Sequence, residues 1–190
     1  ATLITVHMKH GTNPVNPEQP TDKYTKEDLQ KTVTRTINYI DTAGNIIADS
    51  VTSTVVFTGS GTIDTVTGNL VTVDASGNIV DQNGQLTWTY SVDGDSAQSG
   101  NSYTFAETAA KPSIDYNGST YNFVSVTPGN YSAGNGSVTS YEVNTNNSHD
   151  LTVDVIYNEG ATYHTGKTDT KNETRIINYL DGKKKKKKKK

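Results

Sequence analysis

The sequence predicts a mostly β fold (α+β, with α as the minor part) made of antiparallel hairpins and one short helix. Short runs in which apolar and polar residues alternate have the period of half-buried strands. Residues that favour tight turns separate these runs, and no helical pattern lasts longer than two turns. The chain has 190 residues, among them eleven tyrosines, a residue that is common in strands. This length suffices for one β-rich domain or two small ones.

The net charge of −3 hides an acidic body and a basic end. Eight of the 17 Lys and Arg residues form the run 183–190, which leaves residues 1–182 with a formal charge of −11. Nucleic acids and anionic membranes bind basic surfaces, so neither is expected as a natural partner of this body. A run of eight like charges repels itself and stays disordered, and we interpret 183–190 as a solubilising tail.

The residue inventory argues against an enzyme and against a membrane-spanning protein. With no cysteine, the chain has neither a disulfide framework nor a thiol nucleophile. The four histidines do not have the spacing of a zinc site, and no set of nucleophile, base and orienting group is recognisable. No apolar run approaches the length of about 18 residues that membrane insertion requires. No cofactor is expected.

The first predicted elements are a strand and a linker. Residues 1–10 alternate as a strand does, with Ile4, Val6 and Met8 on one side. Three of the five prolines follow, so residues 11–31 are interpreted as a Pro-rich linker, extended and mobile over 11–24. Near its end, Thr25 and Asp28 have the spacing of a helix capping box, although the run after them is too short for more than one or two turns.

The alternation is clearest after residue 32. Val33, Arg35, Ile37 and Tyr39 share one side of a predicted strand, and Gly44 supplies the turn of a hairpin. Further along, the dipeptide at 83–84 is Asn-Gly, the strongest two-residue hairpin signal, and an alternating run follows it at 86–90. A meander of short strands is expected.

The helix and the last strand are predicted in the second half of the chain. Phe105 to Lys111 is the best helix candidate, because it contains several alanines and a glutamate and Pro112 ends it. The last full strand is Leu151 to Tyr157, whose apolar residues recur at every second position.

An internal repeat indicates a tandem array. Residues 32–41 read TVTRTINYID and residues 172–181 read NETRIINYLD, with six of ten positions identical. Self-similarity at a fixed distance is the signature of repeated structural units. The expected organisation is a terminal strand of a preceding unit at 1–10, the linker at 11–31, a complete unit at 32–160, a linker with the first strand of the next unit at 161–182, and the tail at 183–190. The chain is thus expected to be a piece of a longer protein.

Several motifs make the chain resemble a known family. They are VHMKHGT before the Pro-rich segment, TVTRTINYIDTAG, VVFTGSGTIDTVTG, LTVDVIY and, in the middle of the second half, YNGSTYNFVSV. Together they are similar to the Mub-type repeats of lactobacillus mucus-binding surface adhesins, and the part from about 91 to 158 resembles their mucin-binding-protein (MucBP-like) modules. The resemblance implies a β-grasp-like fold in an elongated tandem array. It also implies a Gram-positive cell-surface protein, anchored to the cell wall outside this chain, that contacts neighbouring repeats and binds host mucin glycans or, in some members, immunoglobulin.

Tyrosine and asparagine supply the candidate binding residues. Rigid amphipathic rings flanked by amide groups suit sugar or protein surfaces, although tyrosine is also an ordinary strand residue. The candidates lie close together in the sequence, and they are Tyr103, Tyr116, Asn117, Tyr121, Asn122 and Tyr131. A structural spacer that projects other binding modules is the alternative to a mucus-binding repeat, since tandem repetition serves reach as well as avidity.

Acidic turns offer weak candidates for calcium. Ca²⁺ prefers carboxylate and amide oxygens, and such oxygens occur at Asp74, Asn78, Asp81, Asp93 and Asp95. Their spacing does not match an EF-hand, and hairpin turns use the same residues for backbone reasons. Calcium therefore stays open beside an ordinary turn.

Overall fold

A computed structural model describes residues 2–6 and 8–162 of the chain, and the mostly β fold class is confirmed. The described residues contain fourteen strands, one α-helix and one 3-10 turn, which are β1 (Thr12–Val15), α1 (Lys26–Leu29), β2 (Gln30–Asp41), β3 (Ile46–Asp64), β4 (Leu70–Val73), β5 (Ile79–Asp81), β6 (Thr87–Val92), β7 (Gln98–Ser99), β8 (Ser102–Phe105), β9 (Ser113–Tyr116), β10 (Ser119–Thr127), the 3-10 turn (Gly129–Tyr131), β11 (Ser132–Gly134), β12 (Ser137–Val138), β13 (Tyr141–Asn144) and β14 (Leu151–Thr162). The repeated sequence at 172–181 and the lysine tail lie outside the described residues.

The chain divides into two compact units that are each built from several segments. The first unit contains the described residues of 1–33, Thr54–Tyr103 and Val143–His149. The second unit contains Thr34–Ser53, Thr104–Glu142 and the described residues from Asp150 onward. The strands β2 and β3 contribute residues to both units. The domain boundaries expected from the sequence remain predictions.

The first unit is organised around the second half of β3. This half pairs antiparallel with β1, β4 and β6. Val15, Leu29 and Ile63 form a small buried cluster, and the ring of Phe57, also fully buried, lies 6.0 Å from that of Tyr90. The predicted strand around Trp88 is therefore present as β6, and its side chains pack against β3.

The segment expected to be an extended linker differs from that expectation. Residues 12–15 form β1, and Val15 pairs with Gly61 of β3 and is fully buried. The predicted capping box at Thr25 and Asp28 is confirmed, and the single helical turn of α1 after it buries Leu29. The proline content favoured a linker, but Val15 and Leu29 supply two apolar anchors that hold this segment on the unit.

The predicted strand at 1–10 is absent from the described residues 2–6 and 8–10, which have no regular structure. The apolar side chains of Leu3, Ile4, Val6 and Met8 are all exposed. A lone strand has no partner for its backbone groups, which explains why alternation alone does not produce one here. That this segment belongs to a preceding unit stays a prediction.

The asparagine-glycine hairpin expected at 83–84 is also absent. β5 pairs with β4 and β6 pairs with β3, so the two runs that flank this dipeptide do not pair with each other. The backbone amide of Gly84 donates to the carbonyl of Leu70, and a Cβ at Gly84 would overlap the backbone of Val71. The glycine therefore allows close approach of two backbones rather than a two-residue turn.

The second unit contains a sheet with a parallel pair at its centre. The strand order is first half of β3, β2, β14, β10 and β9. β14 runs parallel to β2. Leu151 pairs with Arg35 at one end of the paired region, and Tyr157 pairs with Asp41 at the other. A parallel pair formed by the first and last long strands agrees with a β-grasp-like sheet. The predicted alternation in β2 is confirmed, because Val33, Arg35, Ile37 and Tyr39 are all buried.

The helix expected at Phe105 to Lys111 is wrong. Phe105 ends β8, and residues 106–112 have no regular structure. The amide of Thr108 donates to the carbonyl of Val138, and the amide of Lys111 donates to the carbonyl of Asn135. Backbone donors that would form helical hydrogen bonds instead bind carbonyl groups of the β11–β12 hairpin, and these tertiary contacts override the helix propensity of the alanines.

Asp64 anchors the segment around His10 in the first unit. Its buried side chain accepts hydrogen bonds from the backbone amides of Val66 and Thr67, and its Oδ2 lies 2.5 Å from Nδ1 of His10. Desolvation of the Asp64 carboxyl opposes its ionisation, but the hydrogen bonds from His10, Val66 and Thr67 outweigh it and lower the pKa. The ionised carboxylate is therefore a stabilising group.

We expect Asp64→Ala to destabilise the first unit by about 1–3 kcal/mol, because two backbone amides and the His10 ring lose their charged acceptor. Urea unfolding followed by the fluorescence of Trp88, the one tryptophan of the chain, measures this loss. Since the pKa of Asp64 is lower in the folded than in the unfolded chain, its contribution is present above about pH 4 and lost as the pH falls through the folded value. Asp64→Asn, which keeps an oxygen acceptor, should cost less at pH 7 and should weaken the acid sensitivity. Equal stability of Asp64→Ala and the unchanged chain would contradict this role.

Candidate functional site

A tight hairpin between β9 and β10 presents the candidate residues of the second unit. Asn117 and Gly118 occupy the turn with φ of 52° and 86°, and Tyr116 pairs with Ser119 on either side of it. A two-residue hairpin turn matches the twist of its two strands when both of its residues have positive φ, and Asn-Gly is the preferred sequence for such a turn. The local sequence therefore places Tyr116 at the exposed tip of the hairpin.

Strand alternation brings Tyr116 and Tyr121 to the same face of the sheet. Tyr121 is the cross-strand partner of Ile114, and Ile114 and Tyr116 are two residues apart on β9. The two tyrosine rings meet edge to face, with centroids 6.1 Å apart. This geometry is favourable for aromatic pairs and holds the Tyr116 ring in place while 42% of the residue remains exposed.

Tyr116 borders an open cleft of about 520 Å³. The other lining residues belong to the start of β3, and they are Ile46, Ile47, Ala48 and Asp49. Ile46 is 65% exposed, whereas Ile47 is part of the buried core. No described residue donates a hydrogen bond to the carboxylate of Asp49 or binds the hydroxyl of Tyr116. The cleft thus offers an exposed ring, an exposed apolar side chain and polar groups that a ligand can bind.

Two further carboxylates lie on the same face as the tyrosine pair. Glu159 is the cross-strand partner of Tyr121, and Asp41 is the partner of Tyr157 in the parallel pair. Desolvation, then the negative charges of Glu159 and Asp41 and the neighbouring Tyr116, raise the pKa of Tyr121, which therefore stays protonated at neutral pH. The Asp41 carboxylate also accepts from the amides of Ala43 and Asn45, so the turn after β2 fixes its position.

The structure brings together only some of the candidates expected from the sequence. Tyr116, Asn117 and Tyr121 share the hairpin, while Asn122 follows Tyr121 along β10 and so faces the opposite side of the sheet. Tyr103 belongs to the first unit, where its ring packs 5.7 Å from that of Tyr90.

Tyr131 has a packing role in the second unit. Its ring meets that of Tyr141 at 5.9 Å, and the Tyr141 ring stacks in turn on Phe105 at 6.2 Å. The cluster continues to Arg35, whose guanidinium lies 5.3 Å from the centroid of the Phe105 ring. This arrangement favours a structural over a ligand-binding role for Tyr131.

Sequence reasoning missed the residues of β3 that line the cleft. Ile46 and Asp49 follow the turn at Gly44, and the sequence there predicts only the second strand of a hairpin. An isoleucine directly after a turn is a weak indication of a binding site. It becomes a candidate only because the fold brings it to the same cleft as Tyr116.

The weak calcium candidates serve as turn residues in the first unit. One carboxylate oxygen of Asp74 accepts from the amides of Ser76 and Asn78, and the side chain of Asp81 accepts from the amide of Asn83. These are the local side-chain to backbone bonds that make aspartate common in turns. They account for both aspartates as turn residues without a cation.

The remaining calcium candidates do not complete a site. Asp93 accepts from the amide of Thr54, and the amide of Asp95 donates to the carbonyl of Val92. Within residues 2–6 and 8–162, no three Asp, Glu, His or Cys side chains come together as a metal site would require. In the same residues no helix is long and apolar enough to cross a membrane.

Comparison with known proteins identifies the class of domain. Residues 24–161, more than half of the chain, match the family of Muc B2-like domains. The chain belongs to this family. No curated protein matches it.

Solved structures similar to this chain are Mub and MucBP domains. One is the crystal structure of Mub-RV, with 26% identity over 80% of this chain and 62% of that one and a TM-score of 0.46. Another is the type 2 repeat of the mucus binding protein MUB from Lactobacillus reuteri, with 23% identity, 77% and 57% coverage and a TM-score of 0.39. A MucBP domain from Lactobacillus acidophilus has 18% identity, 78% and 98% coverage and a TM-score of 0.40. The chain thus spans less than two thirds of the first two solved chains.

Proposed function

We propose that the chain is a mucus-binding repeat of a bacterial surface adhesin and that the cleft beside Tyr116 binds mucin glycans. The observation that carries the proposal is the exposed Tyr116 ring at an open cleft in a member of the Muc B2-like family. Similar domains are named for binding mucus or mucin, among them the MUB repeat and the mucin-binding domain of a Streptococcus pneumoniae protein. The same reasoning proposes a cell-surface location.

The cleft has the chemistry that a sugar ring requires. The apolar C–H face of a pyranose can pack on the Tyr116 ring and on Ile46, while its hydroxyl groups donate to the carboxylate of Asp49. Such a site binds a ligand and has no group arranged to transform it, so the chain is proposed as a binding module and not as an enzyme.

Binding by one copy is expected to be weak. The cleft is open, and only one ring and a few polar groups contact the ligand. We expect a dissociation constant between about 1 mM and 1 µM, which corresponds to about −4 to −8 kcal/mol. Immunoglobulin binding and contact with neighbouring repeats stay predictions from the family resemblance.

We expect Tyr116→Ala to weaken retention on immobilised mucin about tenfold, since truncating a central aromatic contact typically costs more than 1 kcal/mol. The chain must be cut after residue 182, because the lysine tail alone can hold polyanionic mucin. Val124→Ala serves as the matched control, since Val124 is a 46% exposed apolar residue of the same unit that does not line the cleft. Circular dichroism of both variants checks that the fold is kept.

The spacer interpretation predicts that the repeat does not bind mucin at all. If the chain without its tail ignores mucin and its glycans even in several linked copies, the repeat projects other modules and does not bind. If it binds but Tyr116→Ala and Val124→Ala behave alike, mucus binding stands and the site lies elsewhere.

A further inference from the structure

The second unit carries an unusual balance of charge. Its described residues include eight Asp and Glu residues but only two basic residues, a formal charge of −6. Anionic ligands that approach this unit therefore meet a repulsive field, unless a basic group stands at the site that receives them.

Each of the two basic residues of the described second unit is held against an aromatic ring. Arg35 is only 7% exposed, and its guanidinium stacks on the ring of Phe105. The Nζ of Lys111 lies 4.7 Å from the centroid of the Tyr39 ring, in a cation–π contact with a buried residue. Neither residue lines the cleft.

The face around the cleft carries carboxylates instead. Asp49 lines the cleft, and Asp41 and Glu159 lie on the sheet face that also carries Tyr121 and Tyr116. Their charges act on Tyr121, whose ring contacts that of Tyr116. A carboxylate or sulfate on a sugar bound at Tyr116 would thus come close to like charges, and none of the described residues that line the cleft is basic.

We propose that this cleft selects neutral glycans and disfavours glycans that end in sialic acid or carry sulfate. The inference rests on the proposed function of the same cleft and adds the ligand class. Hydroxyl groups of a neutral sugar donate to carboxylates, so the acidic rim supports neutral ligands while it repels anionic ones. The surface would then recognise the uncharged part of mucus, and sialylation or sulfation of mucus would mask it.

The test compares matched glycans on the chain cut after residue 182. The probes are N-acetyllactosamine, its α2,3-sialylated form and its 6-sulfated form, titrated by NMR at low and high salt. We expect the neutral sugar to bind about tenfold more tightly than either anionic form at low salt, with little salt dependence of its own. The difference should narrow in 0.5 M salt, where charges are screened.

Two variants separate the effect of the charge in the cleft from the effect of the overall charge of the second unit. Asp49→Asn removes the charge in the cleft and should reduce the preference for the neutral sugar several-fold. Asp115→Asn removes the same charge from the opposite face of the β9–β10 hairpin and should leave the preference almost unchanged. Equal effects of the two variants would overturn a local selection by the cleft.

The binding data distinguish a lack of selectivity for neutral sugars from a lack of mucin binding. Tighter or equal binding of the sialylated or sulfated sugar at low salt would overturn the selectivity and leave mucin binding intact. Absence of binding to all three sugars, together with no retention on mucin, would overturn both.

Discussion

Gly136→Ala is expected to lower the free energy of unfolding by about 3–5 kcal/mol, a large part of the total stability of an ordinary domain. Gly136 is buried in the turn between β11 and β12 with a φ of +80°. A Cβ there would overlap the carbonyl oxygen of Lys111 and lie 2.8 Å from the hydroxyl of Tyr157. Strained backbone and overpacking therefore add together.

The overlap is costly because those two atoms already bind each other. The Tyr157 hydroxyl donates to the Lys111 carbonyl at 2.7 Å, and the Lys111 amide donates to Asn135 at 2.7 Å. Burial, with a smaller effect of Tyr39, raises the pKa of Tyr157 to about 12, so this hydroxyl remains a donor across the physiological range. Tyr157 is itself fully buried in the core of the second unit.

The matched control is Gly134→Ala in the same hairpin. Gly134 has a φ of +98° but no atom within 4 Å of an added Cβ, so its substitution carries only the backbone strain, about 1–2 kcal/mol. Urea unfolding followed by circular dichroism measures both variants, and amide hydrogen exchange of β14 reports the second unit. Equal losses for the two variants would show that the contact with Lys111 and Tyr157 does not matter.

Linking copies of residues 1–182 is expected to raise apparent affinity for mucin by about 10² to 10⁴. A second copy on the same chain meets a glycan that the first has already brought near, so its binding becomes intramolecular. Retention on immobilised mucin of chains with one, two and four copies measures this gain. Because the ligand contacts are proposed to involve neutral sugars, moderate salt should not abolish the retention.

The control for avidity is a four-copy chain in which every copy carries Tyr116→Ala. Its retention should fall close to that of a single copy. Retention that rises in proportion to mass alone, or that survives this change, would contradict multivalent binding through the cleft.

The sequence predicted the elements whose signals are local. The alternation of β2 and of Leu151 to Tyr157 specified which side chains are buried, because a strand has a period of two whatever its partners are. The capping box at Thr25 and Asp28 predicted the position of α1, since its hydrogen bonds lie within four residues.

Features that depend on distant partners could not be predicted in this way. The alanine-rich stretch after Phe105 favours a helix, yet its amides bind the carbonyls of Val138 and Asn135, which lie 24 to 30 residues further along the chain. Asn117-Gly118 and Asn83-Gly84 have the same sequence signal, but only the first joins two strands that pair with each other. Tertiary packing decided both cases.

The residues of the candidate site could not be predicted from the sequence for the same reason. Tyr116 belongs to a tyrosine- and asparagine-rich stretch, but the sequence could not distinguish it from Tyr103 or Tyr131, which do not line the cleft. Ile46 and Asp49 are about 70 residues from Tyr116 in the chain. Only the folded sheet brings them to one cleft.

If mucin glycans bind in the cleft beside Tyr116, a residue-resolved NMR titration will locate them there. Isotope-labelled chain cut after residue 182 is titrated with neutral oligosaccharides released from mucin. We expect chemical-shift changes concentrated at Ile46 to Asp49 and Tyr116 to Tyr121, and we expect Tyr116→Ala to abolish them. Changes centred on another surface, or none at millimolar sugar while linked copies still bind mucin, would contradict it.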